Sequence, residues 1–198
     1  MLDRRHLIGA LAGRSLALPT AAFAQAYPQK PITLVVPYAP GGATDIIGRV
    51  VAEEMSNSLG QRVVVENRAG AGGSVGAAAA ARAQPDGYTL LLGALTSHSI
   101  NMGLQAKPGF DLKKDLLPIG LAGNVGLALV VHPSVTAKTV PELIAQIKAS
   151  PDAYSYASSG QGSPQHLSGE LFNIKAGTKM PVVPYRGSGP AMTDMVAG

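Results

Sequence analysis

At 198 residues with 46% hydrophobic side chains, the chain can bury a real core, and its length suits one large domain or two small ones. With no Cys, disulfides, thiolate metal sites and cysteine catalysis are excluded. The formal charge of +4 shrinks to +2 once Arg4, Arg5, Arg14 and Asp3 in the first 24 residues are set aside, and so small and scattered an excess gives no nucleic-acid footprint.

Residues 1–24 read as a removable export signal: Arg4-Arg5, an apolar stretch from Leu7 to Ala22, and an Ala22-Phe23-Ala24 cleavage site. Arg4-Arg5 followed by His6-Leu7-Ile8 can be read by the twin-arginine route as well as the general one. The stretch is too short and too broken by Gly, Arg and Ser to span a bilayer, and no cysteine exists to be acylated. The mature protein is therefore expected to be soluble and outside the cytoplasm.

Ile32-Thr33-Leu34-Val35-Val36 reads as a buried strand, and from Asp45 onward apolar residues recur at helical spacing. Between them lies Tyr38-Ala39-Pro40-Gly41-Gly42-Ala43-Thr44-Asp45. Pro37 and Pro40 stop the strand, Gly41-Gly42 supply the turn, and Thr44 is placed to cap the helix. A strand, a glycine loop and a helix start make an anion site from backbone N–H groups alone, or else simply a tight connection. Asp45 either orients a ligand's second group or favours the helix dipole. The helix is expected to bury Ile46, Ile47, Val50, Val51, Met55 and Leu59 and to stop at Gly60.

Arg62 to Glu66 is the second strand, Asn67 to Gly73 a second glycine loop, and Val75 to Ala83 an alanine-rich helix able to pack closely on a sheet. Gln84-Pro85-Asp86-Gly87 turns the chain into a third strand, Tyr88 to Leu92. The order β-α-β-α-β predicts a parallel sheet flanked by helices. Gly93 to Asn101 leaves that strand as a run of hydroxyls on the carboxyl edge, where ligands bind in open α/β sheets. Residues 107–118 read as a surface excursion and Ile119 to Ala122 as a crossing strand, with a domain boundary near Gly123.

The second half repeats the plan. Leu127 to Val131 is a predicted strand, Thr139-Val140-Pro141-Glu142 a capping box, and Tyr154 to Ala157 another strand. Ser158-Ser159-Gly160-Gln161-Gly162-Ser163 then leads to Pro164 at a first helical position. Val182-Val183 leads through Tyr185-Arg186-Gly187 to a third helix start after Pro190. The end at Gly198, with nothing to cover the sheet, reads as truncation.

Gly72-Gly73-Ser74-Val75-Gly76 fits the G-x-S-x-G of a hydrolase nucleophile elbow, which makes a secreted serine hydrolase using Ser74 the alternative reading. A long loop after Glu66 intervenes, however, and no acid is tied by spacing to His98, His132 or His166. No glycine loop completes G-x-G-x-x-G or carries a Walker lysine, and no histidine pair has metal-ligand spacing, so no cofactor, metal or catalytic residue is assigned.

Taken together, Pro31 to Asp45, Glu66-Asn67-Arg68 with Gly70 to Gly76, Pro85-Asp86-Gly87-Tyr88-Thr89-Leu90, Tyr156 to Leu171 and Pro184 to Gly198 resemble the periplasmic substrate-binding proteins of tripartite tricarboxylate transporters, the Bug receptors. The resemblance implies an α/β, two-domain Venus flytrap of parallel or mixed sheets flanked by helices, with domains at 25–123 and 124–198 and the second incomplete. It implies a non-enzymatic receptor that takes a small organic acid in the interdomain cleft. Its partners would be the membrane subunits of the transporter or a sensor kinase. By the same resemblance the ligand loops are Tyr38, Pro40, Gly41, Gly42, Ala43, Thr44 and Asp45 in the first domain, and Ser158, Ser159, Gly160 and Ser163 with His166 in the second. Thr96, Ser97 and Asn101 would line the cleft, with Tyr185, Arg186 and Gly187 at its far wall. Loop amides and bridging waters would hold the ligand carboxylate.

Overall fold

A computed structural model describes residues 27–198; the expected export signal lies outside them. The first half is built on three parallel strands in the order β2-β1-β3: β1 (Ile32–Val36), β2 (Val63–Asn67) and β3 (Thr89–Leu91). The predicted parallel β-α-β-α-β sheet is what forms, and β1, aliphatic at every position but Thr33 as suits a central parallel strand, sits in the middle.

Helix α1 (Ala43–Leu59) covers one face, burying Asp45, Gly48 and Ala52 with Met55 and Leu59 packed below them. This corrects the expected face, because Ile46 and Val50 are both 58% exposed. Apolar residues wrap so much of this helix that periodicity leaves its rotation open; the smallest residues decide it. A Cβ on Gly48 would sit 3.0 Å from Val36 Cγ2, so the helix docks where its side chains vanish. Helix α2 (Ser74–Ala81) covers the other face, and a Cβ on Gly76 would lie 2.7 Å from Pro37 Cβ. Phe110 packs on Ala77 and Ala78 with Leu112 and Leu116 beside it, so residues 107–118 supply core as well as surface. Helix α3 (Leu95–Leu104) replaces the expected hydroxyl-rich loop after β3.

The second half holds α4 (Val140–Ala149), β4 (Tyr156–Ser158), α5 (Pro164–Ala176), β5 (Val182–Pro184) and α6 (Ser188–Ala197), with β4 and β5 parallel. Thr139 caps α4 as predicted, and Glu142 turns back over Thr139 to accept from the Lys138 amide at 2.8 Å. Helix α6 starts at Ser188, two residues before Pro190. Residues 119–122 and 127–131 form no strand, contrary to expectation. A strand exists only where a neighbour completes its ladder, and β4 and β5 pair with each other while neither pairs with 127–131.

Candidate functional site

The opening loop is organised by Asp45, not by Thr44. Helix α1 begins at Ala43 with Gly42 as N-cap and no side-chain cap, which puts Thr44 already inside the first turn. The Asp45 carboxylate, 3% exposed, reaches back instead: Oδ2 accepts from the Gly41 amide at 3.0 Å. Arg49 grips both of its oxygens, Nε to Oδ2 at 3.1 Å and Nη2 to Oδ1 at 3.0 Å. Asn67, at the end of β2, donates to Oδ1 at 2.9 Å and to the Tyr38 carbonyl at 3.0 Å. Burial alone would raise the Asp45 pKa; the donors Arg49, Gly41 and Asn67, with the Arg49 charge, outweigh it and hold the group below the ordinary carboxylate range. The anion at this helix N-terminus is therefore the protein's own.

A cavity of about 210 Å³ lies between the two halves. From the first half, Tyr38 and the backbone of Gly70-Ala71-Gly72-Gly73 line it; from the second, Ser159, Gly160, Gln161, Pro184, Tyr185 and Arg186. Of the residues singled out in the sequence, Tyr38, Ser159, Gly160, Tyr185 and Arg186 thus meet at one cavity. Pro40, Gly41, Gly42, Ala43, Thr44 and Asp45 stand outside its wall, and Gly42 faces Ser188 and Gly189 instead. A larger cavity, about 700 Å³, runs under residues 127–131 among Ile147, Phe172 and Met195. Its wall contains no Lys or Arg to hold an acid, so the smaller one is the candidate site.

The hydroxyls of Ser158 to Ser163 are spent on shaping their own loop. Ser158 Oγ accepts from the Gly160 amide at 3.4 Å, Ser159 Oγ donates to Gln165 Oε1 at 2.8 Å, and Ser163 caps α5 by accepting from the His166 amide at 3.2 Å. His166 Nδ1 accepts from the Gly162 amide at 3.3 Å. What the loop turns toward the cavity is largely backbone. Behind the opposite wall, buried Asn101 donates to the Gly72 carbonyl at 3.0 Å, so it fixes the second glycine loop from the rear. Thr96 is exposed and Ser97 buried, and neither reaches the cavity wall. Tyr185 donates to Asp194 at 2.9 Å. Arg186 is exposed and makes no ion pair among the described residues, which leaves it as the one cation on the cavity wall. Gly187 is buried in the turn that brings α6 up to the opening loop.

The hydrolase alternative fails on geometry. Ser74 is buried, its Oγ meets no partner, and neither nitrogen of His98 has one either. His98 is wedged between Gly73 and Gly93 with Phe110 edge-on at 5.8 Å, and burial pushes its pKa down to about 4. A covered hydroxyl without a base cannot attack a substrate.

A sequence profile described as the tripartite tricarboxylate transporter family receptor, TctC, matches residues 47–198. The chain belongs to this receptor family. Protein BugT of Bordetella pertussis is 43% identical over 190 residues, 95% of this chain and 57% of BugT. The structure of the periplasmic binding protein BugD superposes with a TM-score of 0.75 at 36% identity, covering 85% of this chain and 56% of BugD. MatC from Rhodopseudomonas palustris, solved with bound malate, gives 0.79 at 33% identity over 85% of this chain and 57% of MatC. The chain thus spans little more than half the length of these relatives. The family and its two-domain periplasmic-binding-protein architecture agree with the resemblance, and these relatives are receptors and not enzymes. The second glycine loop, Gly70 to Gly73, and Gln161 were not singled out for the site. The signal was present: it repeats the strand, glycine loop and helix grammar of the first loop.

Proposed function

We propose that this protein is a periplasmic solute-binding receptor that captures a small organic acid between its halves and presents it to the membrane subunits of a tripartite tricarboxylate-type transporter or to a sensor kinase. Residues 25–123 and 124–198 would be the two jaws, exported by the signal at 1–24. The observation that carries the reading is the cavity of about 210 Å³ walled by glycine backbone from both halves, with Arg186 as its unpaired cation. Glycine backbone presents N–H groups without side chains in the way, and Arg186 supplies a fork for a carboxylate. At about 30 Å³ per water the space equals roughly seven waters, the scale of a short-chain carboxylic acid. The malate bound by MatC is of that class.

Calorimetric and thermal-shift titration against mono-, di- and tricarboxylates tests it. At a hundredfold excess over Kd a bound acid stabilises the chain by about 2.7 kcal/mol, a rise of roughly 5–11 °C in melting temperature. A folded sample that no acid in the panel stabilises refutes the proposal.

A further inference from the structure

Several close approaches between the two halves have a glycine on at least one side. A Cβ built on Gly72 would sit 2.3 Å from the Gln161 carbonyl oxygen, and one on Gly187 2.9 Å from the Ala39 nitrogen. On Gly162 it would lie within van der Waals overlap of Asn101 Oδ1, and on Gly189 2.3 Å from the Pro40 carbonyl oxygen. Among the described residues one hydrogen bond crosses the seam, from the Ala39 amide to the Arg186 carbonyl at 2.9 Å, and no ion pair does. Backbone approach, not side-chain attraction, therefore defines how close the halves come.

We propose that Gly189 is the residue that permits this approach, and that a single methyl group there holds the halves apart. The proposal rests on the receptor reading above, in which closure over an acid is the functional event. Gly72, Gly162 and Gly187 all have positive φ, so any substitution would also strain their own loops. Gly189 does not; it is the second residue of α6, where a left-handed backbone is not at issue and the following Pro190 is the one local feature that favours glycine over alanine. Beyond its own chain neighbours, every close contact of an added Cβ is with the other half, the nearest at the Pro40 carbonyl oxygen. The atom it meets cannot turn aside, because the Pro40 carbonyl shares one planar peptide unit with the Gly41 amide, and that amide is held by the buried Asp45 carboxylate. Arg49 and Asn67 fix the carboxylate in turn. The loop is thus a rigid stop, and α6 needs a glycine to reach it.

The test uses Gly189→Ala beside Gly103→Ala, a glycine of α3 with nothing within 4 Å of its added Cβ. Because the chain has no cysteine, Glu54→Cys on α1 and Lys175→Cys on α5, both exposed, can carry spin labels that read the distance between halves. Distances are measured without ligand and with malate, citrate and acetate. The expected result is a short-distance population in the labelled parent that falls about tenfold or more in Gly189→Ala. Affinity for any acid the parent binds falls by a similar factor, and Gly103→Ala changes neither. A Gly189→Ala protein that keeps the parent's short-distance population overturns the proposal, as does a parent that never shows one. If the population responds to Gly189→Ala while the parent binds none of the acids, the receptor reading falls and the seam stands.

Discussion

Replacing Asp45 by Asn keeps the shape of the side chain and removes the charge that four donors converge on. The Gly41 amide, Arg49 Nε and Nη2, and Asn67 Nδ2 all point at its two oxygens. An asparagine offers one oxygen, and its NH2 group then faces donors. Arg49 is more than half exposed and can turn to water, so its share of the loss is small. Gly41 and Asn67 also reach solvent in part, but the Asp45 acceptor they point at is buried, and hydrogen bonds to a buried carboxylate contribute about 1.5–3 kcal/mol each before context reduces them. We expect a loss of about 3 kcal/mol at pH 7, or roughly 6–12 °C in melting temperature for a chain of this size. The pH dependence supplies an independent check. Because folding holds the Asp45 carboxyl below its ordinary value of 3.8, its contribution is fully present above that pH and is lost as the pH falls through the folded value. Parent and Asp45→Asn should therefore differ at pH 7 and converge in acid. Urea unfolding midpoints across that range are the assay. Equal midpoints at pH 7, or a difference that persists unchanged at about pH 2, would refute the staple.

His98 gives a second acid effect in a separate window: with its folded pKa near 4 against an ordinary 6.5, the unfolded chain takes up a proton that the folded one refuses, so stability falls as pH drops from 6.5 toward 4. The slope approaches about 1.4 kcal/mol per pH unit, and proton NMR of the imidazole should show the depressed titration directly. Tyr38→Phe should leave the melting temperature within about 1 kcal/mol equivalent of the parent, since the covered hydroxyl makes no well-formed hydrogen bond that Phe would forfeit, and should leave acid affinity by calorimetry unchanged, since that oxygen is buried against Gly73 rather than open to the cavity that Tyr38 lines. Ser74→Ala removes a buried hydroxyl that nothing satisfies, so thermal unfolding should show the variant as stable as the parent or slightly more so.

The local grammar of the chain was legible from residue types alone. β1 reads as a buried strand because four of the five residues from Ile32 to Val36 are aliphatic, Pro164 opens a helix because proline suits its first position, and Gly60 ends α1 in the left-handed conformation. These are decisions each segment makes within itself, and the parallel order β-α-β-α-β follows from them with short links. What the tertiary structure alone decided was who meets whom. Which face of α1 docks depends on Gly48 finding Val36, whether 127–131 is a strand depends on a neighbour to pair with, and whether the α1 N-terminus is open to a ligand depends on Asn67 and Arg49 closing on Asp45. The opening loop's counterpart across the cleft is likewise the turn at Arg186 to Gly189, while Ser158 to Ser163 faces the second glycine loop. Sequence fixes dihedrals and periodicity over a few residues; a cavity wall is made of segments more than a hundred positions apart, and only packing brings them to one place.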